Sequence, residues 1–140
     1  MLEPHLDMRA PQGEGVWALK KGVRRSLESA LGAGQLIIDP LEMGEMLRDA
    51  SPVKPVTPAA IACPSSIEAL SQVLAIANRE GIPITPRGGG SGKVGGAIPL
   101  YGGILLATHL LPKAIEVDPS SRILKAGLGA TLDEVKAGAE

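Results

Sequence analysis

The sequence predicts an α+β fold: a small mixed sheet containing a βαβ unit, preceded by N-terminal helices. Three observations carry this reading. Residues 59–85 run strand, helix, strand within about 30 residues, the length of a crossover between parallel strands. Residues 114–117 and 123–126 are short apolar runs on either side of Asp118-Pro119-Ser120-Ser121, a tight-turn sequence that predicts an antiparallel hairpin. Helical periodicity, by contrast, opens the chain, with Val16, Leu19, Val23, Leu27 and Ala30 recurring at spacings of three or four.

The elements follow in order. Residues 1–15, rich in proline and acid, read as a mobile tail; they lack the basic segment and apolar run of a secretory signal. Residues 16–54 read as a helical lead-in. Its first helix ends at Gly32 and Gly34, and a second starts at Asp39-Pro40-Leu41-Glu42, with an Asp cap, Pro at the first helical position and a capping-box Glu. The prolines of "SPVKPVTP" (51–58) predict an extended connector, and Ala59–Cys63 a buried strand. Ser65 and Glu68 predict a capping box for a helix whose apolar face is Ile67, Leu70, Leu74 and Ala77, widened by Val73 and Ile76. Gly81 is placed for a left-handed helix end, and Ile82–Thr85 reads as the second strand. Further strands are expected at 104–110, 114–117 and 123–126. A last capping box, Thr131 with Glu134, opens a helix of scarcely two turns. A domain ending just after a capped helix starts reads as truncated, so residues 55–140 are taken as a partial domain.

Composition excludes several function classes. With formal net charge −1 and no clustered basic excess, the chain has no electrostatic footprint for nucleic acid. Trp17 and Tyr101 are its aromatics, too few for base stacking. Cys63 is the single cysteine, which excludes an intrachain disulfide and fits a reducing, cytoplasmic compartment. His5 and His109 share no helical spacing with an acid, so no metal site is expected, and His109 is assigned to a strand. The apolar run 104–111 is far shorter than the roughly 20 residues of a membrane span.

The stretch "PRGGGSGKVGGA", residues 86–97, concentrates the chemistry: six glycines, one arginine and one lysine in twelve positions. Walker A requires a glycine where Arg87 stands and a Ser or Thr where Val94 stands. Gly90-Ser91-Gly92-Lys93-Val94-Gly95 matches G-x-G-x-x-G, but Pro99 and the glycines at 96, 102 and 103 leave no helix start to carry a pyrophosphate. Two readings remain level. One is a helix-free nest of backbone N–H groups for an anion, with Arg87 or Lys93 nearby; the other is a solvated linker or wide hairpin.

An ordered set of segments runs along the chain: Pro64-Ser65-Ser66 with Glu68, Gly81-Ile82-Pro83, Arg87-Gly88-Gly89-Gly90-Ser91-Gly92, Gly95-Gly96-Ala97, Gly102-Gly103, Glu116-Val117-Asp118-Pro119, and Gly127 with Gly129. In this order they resemble the start of the FAD-binding domain of the p-cresol methylhydroxylase and vanillyl-alcohol oxidase (PCMH-type) superfamily, and within it FAD-linked oxidases of the glycolate oxidase and D-lactate dehydrogenase type. The resemblance implies that the loop at Arg87, Gly88, Gly89, Gly90, Ser91 and Gly92 wraps the FAD pyrophosphate through backbone amides, with Gly96 and Ala97 close to the cofactor. Some relatives attach flavin through a histidine in this loop. Ser91 stands at about that place, which implies noncovalent FAD. Lys93 stands where relatives carry a small or apolar residue.

The resemblance further implies an oxidoreductase acting on a 2-hydroxy acid such as glycolate or D-lactate. Family members continue for several hundred residues, so no residue of this chain is assigned a catalytic role, and activity is expected to need a missing segment or a partner subunit. Two rival functions remain: a scaffold that kept the fold without the cofactor, and a regulatory domain binding another phosphate ligand. An uncovered apolar face is expected to make the isolated chain marginally stable or self-associating.

Overall fold

The computed structural model describes residues 18–139, so the expected tail at 1–15 and the first two residues of the helix expected from Val16 lie outside the described residues, whereas Ala18, Leu19 and Lys20 are described and precede the helix rather than belonging to it. Within them, the first helix, α1, spans Lys21–Ala30 and buries Val23 and Leu27. A two-residue strand β1 (Leu36–Ile37) follows, which periodicity does not signal because two residues carry no period. Asp39 then caps α2 (Pro40–Met43) by accepting the Leu41 N–H at 2.9 Å, with Pro40 at the first helical position as predicted, but the Glu42 carboxylate makes no hydrogen bond among the described residues and the expected capping box does not close. A 3₁₀ turn, Gly44–Leu47, tightens and ends this segment.

β2 (Ala60–Ala62) leads to the long helix α3 (Ile67–Glu80). Two expectations are corrected here. The cap is Ser66, which accepts the Ala69 N–H at 3.1 Å from an extended backbone; Ser65 instead accepts the Gln35 side-chain amide at 3.0 Å. With Ser66 as cap, Ala69 occupies the third helical position, so Glu68 closes no capping box. The buried stripe is Ala69, Val73, Ile76 and Ala77, while Ile67 and Leu74 are 51% and 42% exposed. Both apolar faces fit a helical period, and the one carrying small alanines is the one packed inward. Gly81 ends the helix at φ 63°, the predicted left-handed conformation.

The sheet order is β1-β2-β4-β3, with β3 at Ile84–Arg87 and β4 at Ile104–Ala107. β2 and β3 both run parallel to β4, and β1 pairs antiparallel with β2, so the sheet is mixed as expected. The βαβ unit is not a pair of neighbouring strands, however, because β4 lies between β2 and β3. Every residue of β4 is buried, which suits the centre, whereas Pro86 in β3 has no N–H to donate to a ladder and belongs at an edge.

Strand alternation divides the core between two faces. Ala62, Ile104 and Leu106 pack with Val23, Leu27 and Leu31 and with Ala69, Val73 and Ile76. Ile61, Cys63, Leu105 and Ala107 face the other way, onto Met43, Met46 and Leu47. β4 ends at Ala107, three residues short of the expected run, and His109 lies exposed in the turn that follows rather than in a strand.

β5 (Ile115–Asp118) and β6 (Ile123–Ala126) form the expected antiparallel hairpin as a separate two-stranded sheet. Asp118 organises its turn by accepting the backbone N–H and hydroxyl groups of Ser120 and Ser121. α4 (Leu132–Ala139) opens on the predicted capping box: Glu134 donates its N–H to the Thr131 hydroxyl at 3.3 Å, and its carboxylate accepts the Thr131 N–H at 2.7 Å.

A helix-free glycine loop at the carboxyl ends of parallel strands

The glycine-rich stretch leaves β3 at Gly88 and returns to β4 at Ile104. Because these strands are parallel neighbours, residues 88–103 form a crossover and not a hairpin. No helix forms in the crossover, as the sequence predicts. The loop departs from the carboxyl end of β3, the end of a parallel sheet outside which ligands of open α/β folds bind. It is anchored rather than a free linker: Gly95, Ile98 and Pro99 are buried, whereas Gly88, Gly89, Ser91, Gly92, Lys93 and Gly96 are exposed and Gly90 and Ala97 half-buried.

The glycines divide by what the chain itself demands. Gly90 has φ 69°, and a Cβ there would collide with the Arg87 guanidinium. A Cβ on Gly95 would stand 2.8 Å from Val53 Cγ2. Gly88, Gly89, Gly92 and Gly96 are different. Their φ angles lie outside the left-handed region, and among the described residues nothing but the chain neighbours lies within 4 Å of where a Cβ would stand. Neither conformation nor packing requires glycine at these four positions. Bare backbone facing open space leaves room for close approach by a bulky anion such as a pyrophosphate.

The sequence places Arg87 near that anion, but in the folded chain its guanidinium turns inward. Its Nε donates to the Met46 carbonyl at 2.9 Å, Nη2 to Arg48 at 3.0 Å and to Glu45 at 3.4 Å, and Nη1 to Gly88 at 3.0 Å. The register explains this: Arg87 pairs with Ala107, whose side chain faces the 3₁₀ turn. Lys93 is exposed and makes no hydrogen bond or ion pair among the described residues.

Asp49 is the polar residue beside the loop that motif reasoning missed, since it belongs to no motif. The backbone N–H and hydroxyl of Ser51 both bond its Oδ1, while Oδ2 is buried without a partner among the described residues. The Ser51 hydroxyl, above all, holds this carboxyl below the usual carboxylate range against the opposing effect of burial, and the N–H groups of Ala97 and Gly95 act in the same direction as Ser51.

Among the described residues no group of three His, Cys, Asp or Glu could hold a metal. Two surface depressions, of about 270 Å³ against the β5–β6 hairpin and about 530 Å³ between α1 and α3, are lined by residues outside the loop. The candidate site is the exposed backbone of the loop itself.

Residues 58–140 match the family model of the FAD binding domain, more than half of the chain. The chain belongs to that family. Its fold is the PCMH-type FAD-binding one and its cofactor is FAD. The chain is 42% identical to the D-lactate dehydrogenase of Archaeoglobus fulgidus over 72 residues, 51% of this chain and 16% of that protein. It is 31% identical to glycolate oxidase subunit GlcD of Bacillus subtilis over 90 residues, 64% of this chain and 19% of that one. The fold also matches a crystal structure of p-cresol methylhydroxylase with substrate bound (TM-score 0.71, 20% identity), over 85% of this chain and 25% of the other. The chain thus spans a quarter or less of the length of these proteins.

Proposed function

We propose that this chain is the noncovalent FAD-binding portion of a cytoplasmic FAD-linked oxidoreductase acting on a 2-hydroxy acid such as glycolate or D-lactate. The reading is supported most by the four glycines around whose missing side chains the described residues leave open space. Gly88, Gly89 and Gly92, with the backbone of Arg87, Gly90 and Ser91, would hold the pyrophosphate through N–H groups, and Gly96 and Ala97 would lie beside the cofactor. Bound FAD supplies a two-electron acceptor for the hydride of the substrate carbon. This chain's part is to hold and orient it. The names of the relatives support the 2-hydroxy acid, and substrate binding and proton transfer fall to residues outside these 140, on a further segment or a partner subunit. The exposure of Ile123, Leu128 and Leu132, at 53%, 60% and 68%, supports a surface that such a segment or a second copy covers.

The test is FAD titration of the purified chain and of Gly89→Val. The valine is expected to weaken FAD uptake while leaving the melting temperature unchanged, because it fills only open space. Unchanged uptake would reject the loop as the cofactor site, and preferential binding of ATP would favour a different phosphate ligand. Gly90 is unsuitable for this test, since any side chain there displaces Arg87.

A further inference from the structure

The glycine loop is attached from behind by one short segment, residues 45–53, which precedes the family match at residue 58. There are three attachments. The Arg87 guanidinium donates to the carbonyls of Glu45 and Met46 in the 3₁₀ turn and of Arg48 just beyond it. The Glu45 carbonyl also accepts the Arg48 N–H, and a planar cation with five donors suits several carbonyls at once. The Ala50 N–H donates to the Gly90 carbonyl at 3.0 Å. Farther along, Gly95 lies against Val53 and Ser51, and Ser51 is tied to Asp49 through both its backbone N–H and its hydroxyl. Gly90 and Gly95, the two glycines of residues 86–97 where a Cβ would collide, both touch this backing or its arginine.

We infer that residues 45–53 are the back wall of the FAD site, and that Arg87 is a positioning residue, bolting the loop to that wall so that its outward N–H groups are preset for the cofactor. The inference rests on the proposed pyrophosphate site. It assigns the loop's arginine an inward structural bond set in place of a charge contact with phosphate, and it extends the binding unit beyond the matched domain. Preset geometry matters because a loop of this glycine content loses much backbone entropy if it must order on binding.

The test compares wild type with Arg87→Ala, Arg87→Lys and Gly89→Val by two readouts. The first is the rate of tryptic cleavage after Lys93 without flavin, followed by mass spectrometry; the second is FAD affinity, each with a thermal melt. Cleavage needs a locally freed chain, so it reports loop anchoring alone. In Arg87→Ala cleavage should accelerate, and FAD affinity should fall about tenfold or more. Arg87→Lys keeps the charge but lacks the fork, so it should resemble alanine. Unchanged cleavage in both arginine variants overturns the inference whatever the flavin does. So does full affinity in Arg87→Lys, which would mean that charge alone suffices. If affinity survives in Gly89→Val as well, the pyrophosphate assignment is what has failed; if only Gly89→Val loses affinity, the positioning role has failed. Should Arg87→Ala melt before it can be assayed, Ala50→Pro, which removes the N–H bonded to Gly90 and also fixes the local φ, must accelerate cleavage after Lys93, and its failure to do so also overturns the inference.

Discussion

The Pro83 carbonyl accepts the Ile104 N–H at 2.9 Å, and Gly103 lies so close to the same carbonyl that a Cβ would collide with it. This contact fixes where the glycine loop rejoins the sheet. At the other end of the strand pair, the Thr108 N–H bonds the Arg87 carbonyl at 3.0 Å. The two strands are thereby clamped at both ends, and the crossover between them is held to one entry and one exit.

Gly103→Ala should destabilise the fold by roughly 2–4 kcal/mol, because it combines a left-handed φ of 71° with a backbone collision. Gly88→Ala, in open space, should cost little. Chemical denaturation of both variants checks the contrast, and equal losses would contradict the packing described.

Leu105 is wholly buried in the central strand, so Leu105→Ala should cost about 2–5 kcal/mol. Leu74, 42% exposed, should cost less than about 1 kcal/mol when changed to alanine. Chemical denaturation again decides, and a large loss at Leu74 would restore the helix face expected from periodicity.

At the start of α3, Ser66→Ala should cost about 1 kcal/mol by leaving the Ala69 N–H uncapped. Ser65→Ala removes only an exposed bond to Gln35 and should cost about half as much or less. The opposite ranking in thermal melts would place the cap at Ser65.

Acid should weaken the hairpin and α4. The hydroxyls of Ser120 and Ser121 lower Asp118 from 3.8 to about 2, and the Thr131 N–H, with Lys113 beyond it, lowers Glu134 from 4.5 to about 2. Both folded values lie below the unfolded ones, so the folded state binds fewer protons. Their stabilisation is present above about pH 4.5 and is lost as pH falls toward about 2. Both groups are solvent-exposed, so salt should shrink the effect. Hydrogen exchange of 115–139 at about pH 3 and at neutral pH, for wild type and Asp118→Asn with Glu134→Gln, should show a slope that the double variant flattens.

Local chemistry is legible in the sequence alone. The Asp39 and Thr131 caps, the Gly81 helix end and the Asp118 turn are set by residues within a few positions of one another, and these signals need no tertiary context. So too with the glycine loop: Pro99 and its neighbouring glycines forbid a helix wherever the segment sits. Features decided by distant partners are not legible there. Which of two apolar faces of α3 turns inward depends on α1 and the sheet, and the place of β4 between β2 and β3 depends on one edge strand carrying Pro86. Arg87 shows the division most clearly. Motif and resemblance mark it as part of the cofactor loop, but strand register aims its side chain at carbonyls some forty residues upstream, and only the folded chain brings those within reach.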